Sequence, residues 1–242
     1  MKKLYTIWMI IIFVITFFML FPFYYVFLQN KKWHRLAHNL TKIWAWVIMK
    51  CGLISIEAVF EAKIEPKKKY IYTPNHFSYF DIPLISYLTP GYYKFIGKKS
   101  LGEIPVFGYM FRNLYITVNR ESKTNAYKTL LRAVDTLNQG IGLVVYPEGG
   151  ILSPGPELAA FKDGPFRMAV ESNTEIIPVT IPFNWIFLPD NTWIINRRKL
   201  KIIYHRPLKP GANSQEEVER LKKECFKIIS DRLKKELESE NR

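Results

Sequence analysis

From Leu4 to Leu28 the chain carries no charged residue, and only Thr6, Thr16 and Pro22 interrupt its aliphatic and aromatic side chains. As a helix rising ~1.5 Å per residue this stretch would reach about 37 Å, more than the ~30 Å hydrocarbon core of a bilayer. Lys2 and Lys3 would suit the n-region of a cleaved signal peptide. The apolar stretch, however, is about twice the usual h-region length and ends in Phe23, Tyr24, Tyr25 and Phe27, where a peptidase needs small residues. A retained membrane segment is therefore expected. Lys31, Lys32, Trp33, His34 and Arg35 follow, and then a second apolar stretch from Leu40 to Ile56 with Trp44, Trp46, Val47, Ile48 and Met49. Interspersed Trp and Lys suit the headgroup boundary, and Lys50 and Gly52 argue for an in-plane or half-buried helix over a second span. Lys31, Lys32, Arg35 and Lys42 outweigh Lys2 and Lys3, which predicts an inner (cytoplasmic) membrane protein whose C-terminal domain faces the cytoplasm.

Charge sharpens this reading. The net charge is +14, and the first fifty residues hold Lys2, Lys3, Lys31, Lys32, Arg35, Lys42 and Lys50 with no acid, half of the total. A basic chain can seek nucleic acid or anionic lipid. Here the cations flank apolar segments and no stacking platform or recognition helix is readable, so an anionic membrane surface is the expected partner and nucleic acid is not. With 48% hydrophobic residues the chain can bury enough surface to fold. Cys51 and Cys225 lie too far apart in sequence to make a disulfide scaffold, and no Cys/His cluster suggests a metal site.

Residues 1–60 thus read as a membrane anchor with interfacial helices, and 61–242 as one α/β domain, because strand-length apolar runs there alternate with helical patterns. Expected strands are Tyr70–Thr73, Leu114–Val118, Leu143–Tyr146, Ile176–Ile181 and Leu200–Tyr204. Tyr127, Leu130, Leu131, Val134 and Leu137 recur at helical spacing with Gly140 as a stop. A C-terminal helix opens with Ser214 and Glu217 in capping-box spacing and places Val218, Leu221, Cys225, Ile228 and Ile229 on one face.

The chemistry-bearing residues fall at turns after strands. In Thr73-Pro74-Asn75-His76-Phe77-Ser78-Tyr79-Phe80-Asp81 the strand ends at Pro74, and His76 emerges at the turn. If the chain turns into its helix between His76 and Asp81, the carboxylate can accept from one imidazole nitrogen and leave the other to take a proton from an alcohol. The competing reading is a capping histidine with a first-turn aspartate that answers the helix dipole. Leu114–Val118 delivers Arg120 to a strand end, where its planar fork suits a phosphate or plain solvent. Tyr146-Pro147-Glu148-Gly149-Gly150 is a Gly-rich turn able to present backbone N–H groups to an anion.

Together, in order and spacing, these segments resemble the blocks of the glycerolipid acyltransferase family typified by bacterial 1-acylglycerol-3-phosphate acyltransferases. The likeness runs over residues 70–182: N-H-x-x-x-x-D at Asn75–Asp81, a strand ending in a phosphate-associated arginine at Arg120, F/Y-P-E-G at Tyr146–Gly149, and a proline-containing strand at Ile176–Val179. Gly97–Leu101 and Ile104–Gly108 resemble the segment before the second block.

The resemblance implies a single acyltransferase domain with a mixed central sheet flanked by helices, preceded by the membrane-embedded helical segment. It implies transfer of an acyl group from acyl-CoA or acyl carrier protein to the free hydroxyl of a lysolipid, most often 1-acylglycerol-3-phosphate. No metal ligand set or nucleotide loop is readable in the sequence, so no tightly bound cofactor is expected. His76 would be the general base and Asp81 its orienter. Arg120 would anchor the acceptor head group, with Glu148 and Gly149 shaping the acceptor site. The alternatives are another lysolipid acceptor, such as a lyso-aminolipid, or a non-catalytic lipid-binding role on the same scaffold. Where the family continues Thr-Arg-Ser after the third block, this chain has Gly150, Ile151 and Leu152. Lys98, Lys99, Lys162 or Arg167 would have to replace the missing guanidinium, or the head group differs. Trp185, Ile186, Phe187 and Leu188 stand open between chain contact and core packing.

Overall fold

The structure, a computed structural model, describes residues 1–118 and 123–240. Helix α1 (Lys2–Leu28) is continuous through Pro22, and α2 (His34–Cys51) folds back along it. The pairing is antiparallel: Tyr5 Oη donates to the Gly52 carbonyl at 2.7 Å, Trp44 Nε1 to Thr16 Oγ1 at 2.9 Å and Tyr24 Oη to Thr41 Oγ1 at 3.0 Å. One stripe of α1, including Met9, Ile12, Phe17 and Tyr24, packs into the protein. The rest of its surface, including Leu4, Ile7, Ile11, Val14, Phe18 and Met19, is exposed and apolar. Among the described residues α1 is the one helix long and apolar enough to cross a membrane. Lys42 Nζ donates to the Thr89 carbonyl at 2.7 Å and His38 Nε2 lies 3.2 Å from the Gly91 carbonyl, so α2 is fastened to the domain.

Seven strands form one mixed sheet. In chain order the elements are β1 (Ile56–Phe60), β2 (Ile71–Pro74), α3 (Asp81–Leu88), β3 (Tyr93–Lys98), α4 (Phe107–Leu114), β4 (Ile116–Val118), α5 (Lys123–Asn138), β5 (Gly142–Val144), α6 (Gly164–Ser172), β6 (Ile176–Thr180), α7 (Asn184–Phe187), β7 (Leu200–Tyr204) and α8 (Gln215–Glu240). Their order across the sheet is β1-β7-β6-β2-β5-β3-β4, parallel throughout except where β6 meets β7. Residues 56–60, grouped by sequence with the N-terminal segment, are thus an edge strand of the sheet. Side chains alternate between two helical layers, as the period of a strand requires. Tyr72, Val144, Ile177 and Val179 face the layer of α1 to α4, whereas Ile71, Leu143, Val145 and Ile176 face α5, α6 and α8.

The five strands expected from sequence are present, within one or two residues at their ends. β1 and β3 were not legible because Glu57, Lys94 and Lys98 interrupt their apolar pattern and both are partly exposed. Helix α5 forms where expected but is rotated: Leu130, Ala133 and Leu137 are buried with Thr129 and Thr136, while Tyr127 and Leu131 point outward. Small Ala133 and the two threonines allow close approach to the sheet, a contact that apolar counting underweights. The Ser214 cap is half a box: its hydroxyl accepts from Glu217 N at 3.3 Å, but the Glu217 carboxylate accepts from Gly211 N at 2.7 Å and pairs with Arg220.

Leu143 lies on β5, an interior strand between β2 and β3, and is wholly buried. Leu143→Ala is expected to cost about 2–5 kcal/mol, read as a lowered thermal unfolding midpoint in detergent micelles.

Candidate active site

β2 is the central strand, flanked by β5 and β6, and the chain leaves it toward β3 on one side before later returning to β6 on the other. Crevices beyond the carboxyl ends of strands at such a switch point collect ligands in open α/β sheets. His76 emerges there. Asn75 clamps the turn by donating from Nδ2 to the Ile181 carbonyl at 2.9 Å and accepting from Ile181 N at Oδ1 at 2.7 Å.

Helix α3 begins at Asp81, so the chain does turn between the two residues, and His76 Nδ1 lies 2.9 Å from Asp81 Oδ2. The same oxygen accepts from Phe77 N at 3.0 Å and Ser78 N at 3.1 Å, while Oδ1 accepts from Asn184 Nδ2 at 2.8 Å. A carboxylate only accepts, so this arrangement puts the imidazole proton on Nδ1 and leaves a lone pair on Nε2. Asp81 is 0% exposed and His76 is 8% exposed, so the pair is buried but His76 keeps a small accessible area. The aspartate therefore answers an imidazole as well as the start of a helix.

Glu148 occupies the turn after β5. Both its oxygens hold backbone, Oε1 accepting from His76 N at 2.7 Å and Oε2 from Ala159 N at 2.9 Å. It is wholly buried, and it fixes the His76 turn against the loop before α6. Burial pushes its carboxyl up to about 7, against the downward pull of the two N–H donors, with the nearby Asp81 charge adding to the rise. Preceding it, Tyr146 lays its ring on the His76 imidazole, centroids 3.8 Å apart and planes 18° apart.

Gly149 has φ +84°, and a Cβ there would fall 2.8 Å from Lys162 Nζ. The Lys162 ammonium thus lies over the glycine beside Glu148. Lys98 and Lys99, exposed at the end of β3, share this sheet edge, and Lys98 is in register with Val118 of β4. Arg120 lies outside the described residues. Ile151 and Leu152 line a cleft of about 490 Å³ with Trp185, Ile186 and Pro189, and its one charged lining residue is Asp190. Trp185 and Ile186 are half-buried, whereas Phe187 and Leu188 are core. Among the described residues no cluster of three His, Cys, Asp or Glu could cage a metal ion.

The sequence motifs carried His76, Asp81 and Glu148. They missed Asn184, which reaches Asp81 from 103 residues away and sits in no readable pattern, and they gave Asn75 and Tyr146 no task.

The family model described as Acyltransferase matches residues 55–182. A 1-acyl-sn-glycerol-3-phosphate acyltransferase of Chlamydomonas reinhardtii is 29% identical over 196 residues, 78% of this chain and 57% of that protein. The enzyme of the same description from Haemophilus influenzae is 28% identical over 167 residues, 67% of this chain and 68% of its own. This chain thus spans less than two thirds of its algal relative. The crystal structure of a 1-acyl-sn-glycerophosphate acyltransferase from Thermotoga maritima superposes with a TM-score of 0.79 at 22% identity, covering 97% of both chains, which is a likeness of fold.

Because the Glu148 carboxyl titrates higher in the folded state than its ordinary 4.5, its contribution to stability is complete below about pH 4.5 and is lost as pH rises through about 7. Unfolding midpoints across that window should therefore decline with pH in the parent, on the order of 3 kcal/mol overall. In Glu148→Gln that decline should be largely absent, from a lower starting value because one N–H donor then faces the amide NH₂.

Proposed function

Because the chain belongs to the acyltransferase family, we propose that it moves a fatty acyl group from acyl-CoA or acyl carrier protein to the free hydroxyl of a lysolipid, with 1-acylglycerol-3-phosphate as acceptor and phosphatidic acid as product. The observation that carries this reading is the buried His76–Asp81 pair, held at 2.9 Å at the switch point of the sheet. The acceptor hydroxyl gives its proton to His76 Nε2 as its oxygen attacks the thioester carbonyl carbon. The tetrahedral intermediate collapses, the C–S bond breaks, and the departing thiolate takes the proton back from the imidazolium. Products are the new ester and a free thiol, and no protein nucleophile is consumed. Asp81 holds the imidazole in the required tautomer and offsets the charge it gains.

The acceptor phosphate is assigned to Lys162, with Lys98 and Lys99 at the end of β3 as further cations, and the family resemblance adds Arg120. Gly149 gives the Lys162 ammonium room to lie against the turn. The exposed apolar surface of α1 and the cations flanking it support a membrane-bound enzyme on an anionic surface, with its active site toward the cytoplasm. A lysolipid is held in the bilayer by its own chain, so such docking brings its hydroxyl to the site. A second reading, a lysolipid with another head group, is favoured by one observation: the positions that carry Thr-Arg-Ser in the resembling family are Gly150, Ile151 and Leu152 here, and the last two line an apolar cleft.

Three outcomes test the proposal. In mixed micelles, lysophosphatidic acid and a labelled acyl thioester should yield phosphatidic acid, and His76→Ala should lower kcat by about 10²–10⁴-fold; undiminished turnover would contradict the mechanism. Gly149→Ala should lower kcat/KM roughly tenfold, because its strained φ and the contact with Lys162 displace the turn. In a panel of lysophospholipids and a lyso-aminolipid, lysophosphatidic acid should rank first; ranking last would transfer the assignment to the second reading.

A further inference from the structure

We propose that Tyr146 is a positioning residue whose ring face stabilises the imidazolium formed when His76 takes the hydroxyl proton, so that its stacking sets the strength of the base. The inference rests on the reading of His76 as base. Asp81 meets one edge of the imidazole at Nδ1, and the Tyr146 ring covers one face at a centroid distance of 3.8 Å. The partly exposed remainder is left for the acceptor.

An aromatic face is the negative side of a quadrupole. Against a neutral imidazole it contributes packing; against an imidazolium it adds a cation–π attraction, largest where water is excluded. Tyr146 is 9% exposed and His76 is 8% exposed, so the contact is nearly dry. The contact therefore favours the protonated ring over the neutral one, and the protonated ring exists only once transfer is under way. An interaction stronger in the transition state than in the ground state raises kcat. The ring, and not the hydroxyl, is suited to this task. The Tyr146 hydroxyl has no hydrogen-bond partner among the described residues, and burial, with smaller contributions from Asp81, Tyr93 and Tyr204, holds its pKa well above the usual tyrosine range. It stays protonated and is no proton carrier.

The charged groups bonded to His76 are Asp81 at the start of α3 and Glu148 on the His76 backbone N–H, and Lys162 lies against Gly149, next to Glu148 in the chain. Because Glu148 titrates near neutrality, a pH–rate profile alone would mix two groups. The decisive readout is the titration of the His76 imidazole itself, followed by NMR on the full-length protein in detergent micelles with ¹³C-labelled histidine. The chain has four histidines, and the His76 signal is identified by its loss in His76→Ala.

The comparison is between Tyr146→Phe and Tyr146→pentafluorophenylalanine, which have the same shape but opposite ring-face electrostatics. The fluorinated variant is expected to lower the His76 midpoint by about half a pH unit or more relative to Tyr146→Phe. Its kcat should be severalfold lower, while the acceptor KM changes less than twofold. Tyr146→Leu should move the midpoint in the same direction; if it does not fold, the fluorinated pair still decides. Equal midpoints in the pair, with His76→Ala inactive, overturn this inference alone. Full activity in His76→Ala overturns the base assignment on which it rests.

Discussion

The site depends on one buried charge. A carboxylate taken out of water is tolerated only if its oxygens are fully engaged, and Asp81 meets that demand with His76 Nδ1, two backbone N–H groups and the Asn184 amide. These bonds fix the geometry around it. The N–H groups of Phe77 and Ser78 can converge on Oδ2 only if the chain turns tightly between β2 and α3, and that turn presents His76. Asn184 can reach Oδ1 only if β6 lies beside β2. Glu148, reaching the His76 backbone from the other neighbour, β5, completes the frame. Three strands adjacent in the sheet are tied through one turn.

The same placement connects chemistry to the N-terminal hairpin. Ile195 N donates to Thr6 Oγ1 at 2.9 Å, and Asn196 lines the cleft with Ile151 and Leu152. The start of α1 is therefore joined to the segment that borders the active-site edge, and Trp193 of that segment stacks on Tyr79, two residues before Asp81. A helix whose outward surface is apolar and a crevice bearing a proton acceptor are parts of one packed unit. Under the proposed function, that connection ties the His76 turn to the segment proposed to meet the bilayer.

Much of this was legible in the sequence because the informative residues are local. His76 and Asp81 are five apart, Glu148 and Gly149 are adjacent, and the strands that deliver them are short apolar runs bounded by Pro and Gly. What was not legible depends on which strands become neighbours. The bonds from Asn184 to Asp81 and from Asn75 to Ile181 each span more than 100 residues, and the stack of Tyr146 on His76 follows from β5 pairing with β2. Glu148 shows the same limit: the motif assigns it to shaping the acceptor site, whereas in the fold both its oxygens are engaged by backbone N–H groups. Tyr127 and Leu131 follow helical spacing yet face outward, because Ala133, Thr129 and Thr136 make the closer fit to the sheet.

Asp81 holds His76 as the Nδ1-protonated tautomer, which leaves a lone pair on Nε2 for the proposed proton transfer. ¹⁵N NMR of the His76 ring at a pH above its titration measures this directly, since protonated and bare ring nitrogens resonate far apart. A protonated Nδ1 and a bare Nε2 are expected, with that preference lost in Asp81→Ala. A His76 ring protonated at Nε2 in the parent protein would contradict it.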